Sequence, residues 1–245
     1  MSRALDLSPG IIDLWVASVP EWTESEVIHE LIDVLSQEEQ ERARKFAFER
    51  DRDVYHLAHG MLRVVLSKYD DRDPSDWRFV ANRHGKPSIE GFNSKSLRFN
   101  ISHTTGLAVV AVARDAEVGV DVESLLRTRV RIELASKAFA PIERENLLRI
   151  EDQAVRRNRF FQIWTLKESF IKAMGRGLSL PLDQFWFEWN DSDRPDFHID
   201  PSVGEVADDW RFELMSNVSN FLIAVATRAG QAPISIQLKP LQPNS

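Results

Sequence analysis

Cysteine is absent from the 245-residue chain. That excludes a disulfide framework, thiol catalysis and any thiolate metal site, and it agrees with a reducing, cytoplasmic setting. No apolar run reaches membrane-spanning length, so a soluble protein with no membrane partner is expected. Asp6 and Asp13 interrupt the first apolar stretch, and no secretory signal is expected there. Positive charge is also in short supply. The 31 Lys and Arg residues against 38 Asp and Glu leave a net charge of −7, which argues against a general nucleic-acid binder.

What is present is organised around Val118-Gly119-Val120-Asp121-Val122-Glu123, near the midpoint, where two carboxylates alternate with valines. In a strand, residues i and i+2 share a face, so Asp121 and Glu123 point the same way. Two adjacent carboxylates repel each other, and a hard divalent cation is their natural partner. The plainer alternative is a solvated edge strand with two ordinary acids. Charge is unevenly spread as well: residues 124–160 carry nine bases against five acids and are net +4, which leaves −11 for the rest. A solvated helical face is the usual meaning of such a run.

Taken in order, residues 11–17 read as a short buried strand. Ser36-Gln37-Glu38-Glu39 is a capping box that starts a helix. Val54, Leu57, Ala58, Met61, Leu62, Val65 and Leu66 form the core stripe of a second helix. Between them, residues 42–52 hold five bases, suited to an anion or to surface ion pairs. Residues 77–81 read as a strand, and Asn82-Arg83-His84-Gly85-Lys86-Pro87 as a turn with three cationic or potentially cationic side chains. Residues 97–103 and 107–113 read as a hairpin, with Ser102 and His103 at the end of its first strand, able to donate to a phosphate or simply to satisfy a turn.

After the acidic strand, residues 130–138 read as helical and Pro141 opens another helix. The longest helix is expected over residues 155–174, ending at Gly175. On it Glu168 and Lys172 stand four apart, the favoured order for an ion pair. Strands are expected at 184–189, 197–199, 211–215 and 221–226. Arg98-Phe99 and Ala111-Val112-Ala113 recur as Arg211-Phe212 and Ala224-Val225-Ala226 at a constant shift of 113 residues. Each half also reads helix, strand, hairpin, so a duplicated α+β unit is the economical account. The expected division is an N-terminal lobe, 1–114, and a C-terminal lobe, 115–245, carrying the acids.

Four segments stand in a particular order: Gly85-Lys86-Pro87, Phe99-Asn100-Ile101-Ser102-His103, Gly119-Val120-Asp121-Val122-Glu123, and Trp164-Thr165-Leu166-Lys167-Glu168-Ser169-Phe170-Ile171-Lys172. Together with Arg42, Phe46, Arg50, Asp51 and Arg63 they resemble the 4′-phosphopantetheinyl transferases of the two-lobed surfactin (Sfp) type. The resemblance implies a pseudo-two-fold arrangement of two similar α+β lobes, with coenzyme A and Mg²⁺ between them. It implies transfer of phosphopantetheine to a serine of an acyl or peptidyl carrier protein, with release of adenosine 3′,5′-bisphosphate. By motif, Asp121, Glu123 and Glu168 are the implied metal ligands, Glu168 also the base, and Lys172 the residue that stabilises the pyrophosphate. Arg42, Lys86, Pro87, Ser102, His103 and Lys172 are the implied coenzyme A contacts. Glu39 stands where some members have a lysine, and the roles of Arg44, Lys45 and Arg50 are left open.

The residue types suit that chemistry on their own terms. Cleaving a pyrophosphate requires neutralisation of the departing charge, which a metal and a lysine supply. A carboxylate within reach makes a serine hydroxyl an adequate nucleophile. A metal-dependent phosphohydrolase would use the same acids with water as acceptor, and a degenerate carrier-binding module is the non-enzymatic alternative, disfavoured because every candidate catalytic acid and base is present. The expected partner is an acidic carrier protein, docked on the basic segment through Arg127, Arg129 and Arg131, and a monomer is expected.

Overall fold

The computed structural model describes residues 4–25, 27–91, 97–127, 132–189, 194–230 and 232–243. Strand β1 (Ile11–Ser18) is followed by helices α1 (Val19–Thr23), α2 (Ile28–Asp33), α3 (Gln37–Ala43) and α4 (Glu49–Ser67). Strands β2 (Phe79–Ala81), β3 (Pro87–Ile89), β4 (Leu97–Thr104), β5 (Leu107–Arg114) and β6 (Val118–Ser124) come next. Helices α5 (Ile132–Ala135), α6 (Pro141–Arg149) and α7 (Gln153–Met174) precede strands β7 (Phe185–Glu188), β8 (Asp196–Ile199), β9 (Trp210–Met215), β10 (Phe221–Arg228) and β11 (Ser235–Pro240).

The architecture is mixed α+β, built as two similar lobes. The largest sheet runs β11-β1-β5-β4 and the next β6-β10-β9, so three strands of each follow the same order, while β2-β3 and β7-β8 form two-stranded sheets. Helix α4 covers the outer face of the first sheet through Leu57, Met61, Leu62 and Val65, packed on Phe99, Val110 and Val112. Helix α7 covers the second through Leu166, Phe170 and Ala173, packed on Ala224 and Ala226. The inner faces meet: Ile12, Leu14, Val109 and Ala111 pack against Val120, Val122, Ile223 and Val225. Each of these valines is essentially excluded from solvent, and burying one stabilises the fold by about 1.5 kcal/mol or more.

The repeat in the sequence is therefore partly a structural equivalence and partly an accident of register. Phe99 pairs with Val112, whereas Phe212 pairs with Ala226, a shift of 114 on the second strand, not 113. The connection between hairpin strands has grown from two residues to five while β9 is two residues shorter than β4. That net gain of one residue turns every side chain on the second strand to the other face. The Ala-Val-Ala match is thus offset, and the Arg-Phe match is the true one.

Three expectations need amendment. Strand β11 pairs in parallel with β1, so residues 235–240 belong to the first sheet and the division at 114/115 is crossed by the end of the chain. A Lys239–Asp13 ion pair at 2.6 Å and a Trp22 indole bond to Leu241 O at 3.1 Å hold that strand in place. Trp77 is fully buried, and the strand expected there begins only at Phe79. The helix expected over 130–138 is one turn, α5, followed by a 3₁₀ turn at Ser136–Ala138, while residues 128–131 lie outside the described residues.

The remaining helices start and stop where their sequences direct. Ser36 Oγ accepts from Glu39 N at 3.2 Å while Glu39 Oε2 accepts from Ser36 N at 2.9 Å, the reciprocal cap of α3. Asp152 caps α7 by accepting from the amides of Ala154 and Val155. Gly175 ends it at φ +63°, in the left-handed region that glycine adopts without strain. No described helix is long and apolar enough to cross a membrane.

Candidate active site

Strand β6 has two faces with different duties. Val118, Val120 and Val122 fill the core between the sheets, which turns Gly119, Asp121 and Glu123 toward α7. Gly119 lets the helix come close: a Cβ there would lie 2.1 Å from Ser169 O and 2.3 Å from Ala173 N. The alternation of valine with glycine and acid is therefore the condition for setting Glu168 and Lys172, one helical turn apart, over the two strand acids.

Strand β4 is the edge of its own sheet and lies along β6, the edge of the other. The two edges are joined by side chains and not by a backbone ladder. Asn100 Oδ1 accepts from Val120 N at 2.9 Å, and Ser102 Oγ accepts from Val122 N at 3.3 Å. Ser102 in turn donates to Asp121 Oδ1 at 3.1 Å. Lys172 Nζ completes a triangle, 2.7 Å from Ser102 Oγ and 2.7 Å from Asp121 Oδ1. Glu123 Oε2 receives Arg127 NH1 at 2.8 Å, and the Trp164 indole also donates to Glu123.

The electrostatics reflect a surplus of negative charge. Burial and then the Asp121 charge push the Glu123 carboxyl above its ordinary range, against the pull of Arg127 and Trp164. Burial, Asp121 and Glu123 likewise raise Glu168, with Lys172 opposing. Among the described residues, no hydrogen bond or ion pair ties down the Glu168 carboxylate, and Asp121 Oδ2 is buried without a partner. Hard oxygen donors, mutual repulsion and an orphaned buried oxygen are what a divalent cation relieves. Among the described residues no group of three or more acids or histidines is arranged to hold a metal ion by itself, so any cation here would need oxygens from water and substrate as well.

His103, next to Ser102, is exposed at the end of β4. Neighbouring groups still displace water from part of its ring, and His59 and Lys172 oppose a further positive charge, so its protonation is held below the usual histidine range. His59 was not singled out by any motif. Its Nδ1 lies 3.3 Å from Glu39 Oε1 and its ring stacks on Tyr55 at 4.0 Å. Arg42 is exposed and stands over the same Tyr55 ring at 5.8 Å. Its i, i+4 spacing from Tyr55 on the core helix was the available signal for His59.

Lys86 and Pro87 are placed apart from the acids. Lys86 Nζ pairs with Glu117 at 2.9 Å and donates to Ala173 O at 2.6 Å, and Asn82 Nδ2 donates to Gly175 O at 2.8 Å. The turn thus caps the C-terminus of α7 and lines a cleft of about 380 Å³ with Arg98, Met174, Arg176 and Trp210. None of Asp121, Glu123, Glu168, Ser102 or His103 lines that cleft. Lys167, beside Glu168 in sequence, faces the other way: it pairs with Glu143 at 2.8 Å, both side chains fully buried. Arg129 and Arg131 lie outside the described residues.

Comparison with known proteins agrees with this arrangement over most of the chain. A sequence profile of the 4′-phosphopantetheinyl transferase superfamily matches residues 117–226, and one described as 4′-phosphopantetheinyl transferase, N-terminal, matches residues 19–115. The 4′-phosphopantetheinyl transferase Sfp of Bacillus subtilis is 36% identical over 152 residues, 62% of this chain and 65% of that protein. The 4′-phosphopantetheinyl transferase HetI of a Nostoc species is 34% identical over 62% of this chain and 64% of its own length. The human L-aminoadipate-semialdehyde dehydrogenase-phosphopantetheinyl transferase is 27% identical over 87% of this chain and 72% of its own length. The matched stretch thus spans just under two thirds of the two bacterial relatives.

Proposed function

Because the chain belongs to the 4′-phosphopantetheinyl transferase superfamily, we propose that it transfers the 4′-phosphopantetheine group of coenzyme A to a serine of an acidic acyl or peptidyl carrier protein. The observation that carries this reading is the convergence of Asp121, Glu123, Glu168 and Lys172 where β6, β4 and α7 meet. Adenosine 3′,5′-bisphosphate is the leaving product.

Mg²⁺ held by Asp121, Glu123 and Glu168 would supply Lewis-acid neutralisation of the pyrophosphate. The remaining work falls to the chain. Glu168, whose carboxylate has no hydrogen-bond or ion-pair tie among the described residues, takes the proton of the carrier serine, directly or through water. The Lys172 ammonium, now on Asp121 and Ser102, lies where it can neutralise charge on the departing phosphate. Arg42 and His103 suit the outlying phosphate of coenzyme A, and Ser102 holds Lys172 and Asp121 in register.

The carrier would approach over residues 124–160. That segment is net basic in an acidic chain, and it also exposes Leu126, Ile142, Leu148 and Val155. We read the protein as a cytoplasmic monomer of two lobes divided near residue 114, with the last strand, β11, returning to the first, since each sheet already covers the inner face of the other. The test is mass spectrometry of candidate apo carriers incubated with the chain, coenzyme A and Mg²⁺. A gain of one phosphopantetheine, lost when a chelator is added, is the expected result. Hydrolysis of coenzyme A in the absence of any carrier, with no gain on carriers, would transfer the reading to a phosphohydrolase.

A further inference from the structure

Glu123 is held by a residue that no motif contains. Arg127 NH1 lies 2.8 Å from Glu123 Oε2; the glutamate side chain is 11% exposed and the arginine side chain 56% exposed. The backbone under Arg127 is fixed from several sides. Leu125 N donates to Asn220 O at 2.8 Å, Arg127 N to Ser124 O at 3.2 Å, and Leu126 N to Ser124 Oγ at 3.3 Å. The Arg157 guanidinium donates to the carbonyls of Leu125, at 2.7 Å, and of Arg127. Only the Arg127 side chain is free to leave, and it can do so by rotating into solvent without opening the loop. Glu123 would keep the Trp164 indole as a donor, so its orientation does not depend on the arginine.

Charge decides which cation stays. Lys172 and Arg127 bring two positive charges to the three acids Asp121, Glu123 and Glu168. A divalent cation together with Lys172 balances those acids outright, and Arg127 becomes the surplus. We propose that Arg127 is a cation-displaced latch: it competes with a divalent cation for Glu123, and its displacement delivers the guanidinium, beside the exposed Leu126, to an acidic partner. The proposal rests on the transferase reading above and concerns Arg127 alone. It makes cation binding precede productive docking.

Calorimetric titration of Mg²⁺ into the full chain, as wild type, Arg127→Ala and Arg127→Lys, separates a competitor from an orienting residue by sign. Removing a half-exposed competitor should tighten Mg²⁺ binding about threefold to fivefold, with Arg127→Lys between the two. In the same variants the apparent KM for the carrier should rise, most for Arg127→Ala and most at low salt. Equal or weaker Mg²⁺ binding by Arg127→Ala would overturn the latch while leaving the transferase reading intact. Absence of binding by the wild type, indistinguishable from Asp121→Asn, would overturn both.

Discussion

Lys172 Nζ stands 2.7 Å from Asp121 Oδ1, on the oxygen that Ser102 also addresses, so one ammonium ties α7 to both sheets where the acids meet. Glu168, one helical turn before it, has no comparable tie among the described residues and is raised by burial, Asp121 and Glu123. The two therefore differ in what substitution removes. Glu168→Gln should lower kcat by about 10²–10⁴-fold, the range for a lost general base, with thermal stability in metal-free buffer unchanged or higher because a half-buried charge beside two other acids is gone. Near-normal turnover at saturating Mg²⁺ would take Glu168 out of the chemistry.

Lys167 is the counter-case, one residue away. Its ammonium is sealed with Glu143 and the carbonyls of Leu182 and Phe185, and Glu143 holds the amides of Ala140 and Phe187. Burial pushes Lys167 down to about 8 and Glu143 up, so each is in place only because of the other. Lys167→Met should cost about 3–5 kcal/mol in chemical denaturation, because it strands a buried carboxylate. Turnover by the folded fraction should fall far less than in Glu168→Gln. Replacing both partners with apolar residues of similar volume should recover much of the stability.

Glu39 gives a pH signature away from the acids. Burial opposes its ionisation, but His59, the Ser36 amide and Arg63 outweigh it and bring the carboxyl to about 2. A lowered folded-state value means stability present above the unfolded value of 4.5 and lost as pH falls toward 2. Arg63 is itself buried, bound to Glu39 at 2.7 Å and to Pro74 O and Trp77 O. Glu39→Gln should therefore be less stable than wild type at pH 7 and should lose less on acidification from pH 5 to pH 2. Parallel stability curves for the two proteins across that window would rule out this carboxylate as the acid-sensitive element.

Much of this was legible in the sequence because each signal is local. The period-2 alternation of Val118 to Glu123 told which side chains share a face, and the Ser36 box, Pro141 and Gly175 marked helix ends that depend on nearest neighbours. The acids converge because β6 carries them two residues apart and α7 carries its pair four apart. What escaped notice depends on distant chain. Strand β11 is half exposed and pairs with β1 across more than 200 residues, and nothing in its composition names that partner. The one-residue slip between hairpins is the balance of a longer loop and a shorter first strand, which no single segment reveals. Asn100 and Ser102 bind the backbone of β6, a role for which side-chain motifs give no warning.

The docking surface tests how far charge alone carries recognition. Residues 124–160 are the net-basic part of the chain, and they begin immediately after Glu123 and lead into the helix that bears Glu168, so a partner seated there reaches the acids. Charges at the rim of an interface chiefly steer association and are screened within about 10 Å at 0.1 M salt. Reversal of Arg129 and Arg131 to glutamate should then raise the apparent KM for an acidic carrier severalfold at low salt, fading as salt rises, with coenzyme A affinity unchanged. Leu126, 67% exposed beside Arg127, is expected to act differently, since an apolar contact in the centre of an interface is indifferent to screening. Leu126→Ala should raise the carrier KM by a factor that persists at high salt, roughly tenfold if the side chain is fully covered and contributes about 1.5 kcal/mol. If both variants lose their effect together in salt, Leu126 lies outside the contact. If neither variant changes the KM at any ionic strength, the carrier docks on another face and the basic segment is a solvated surface.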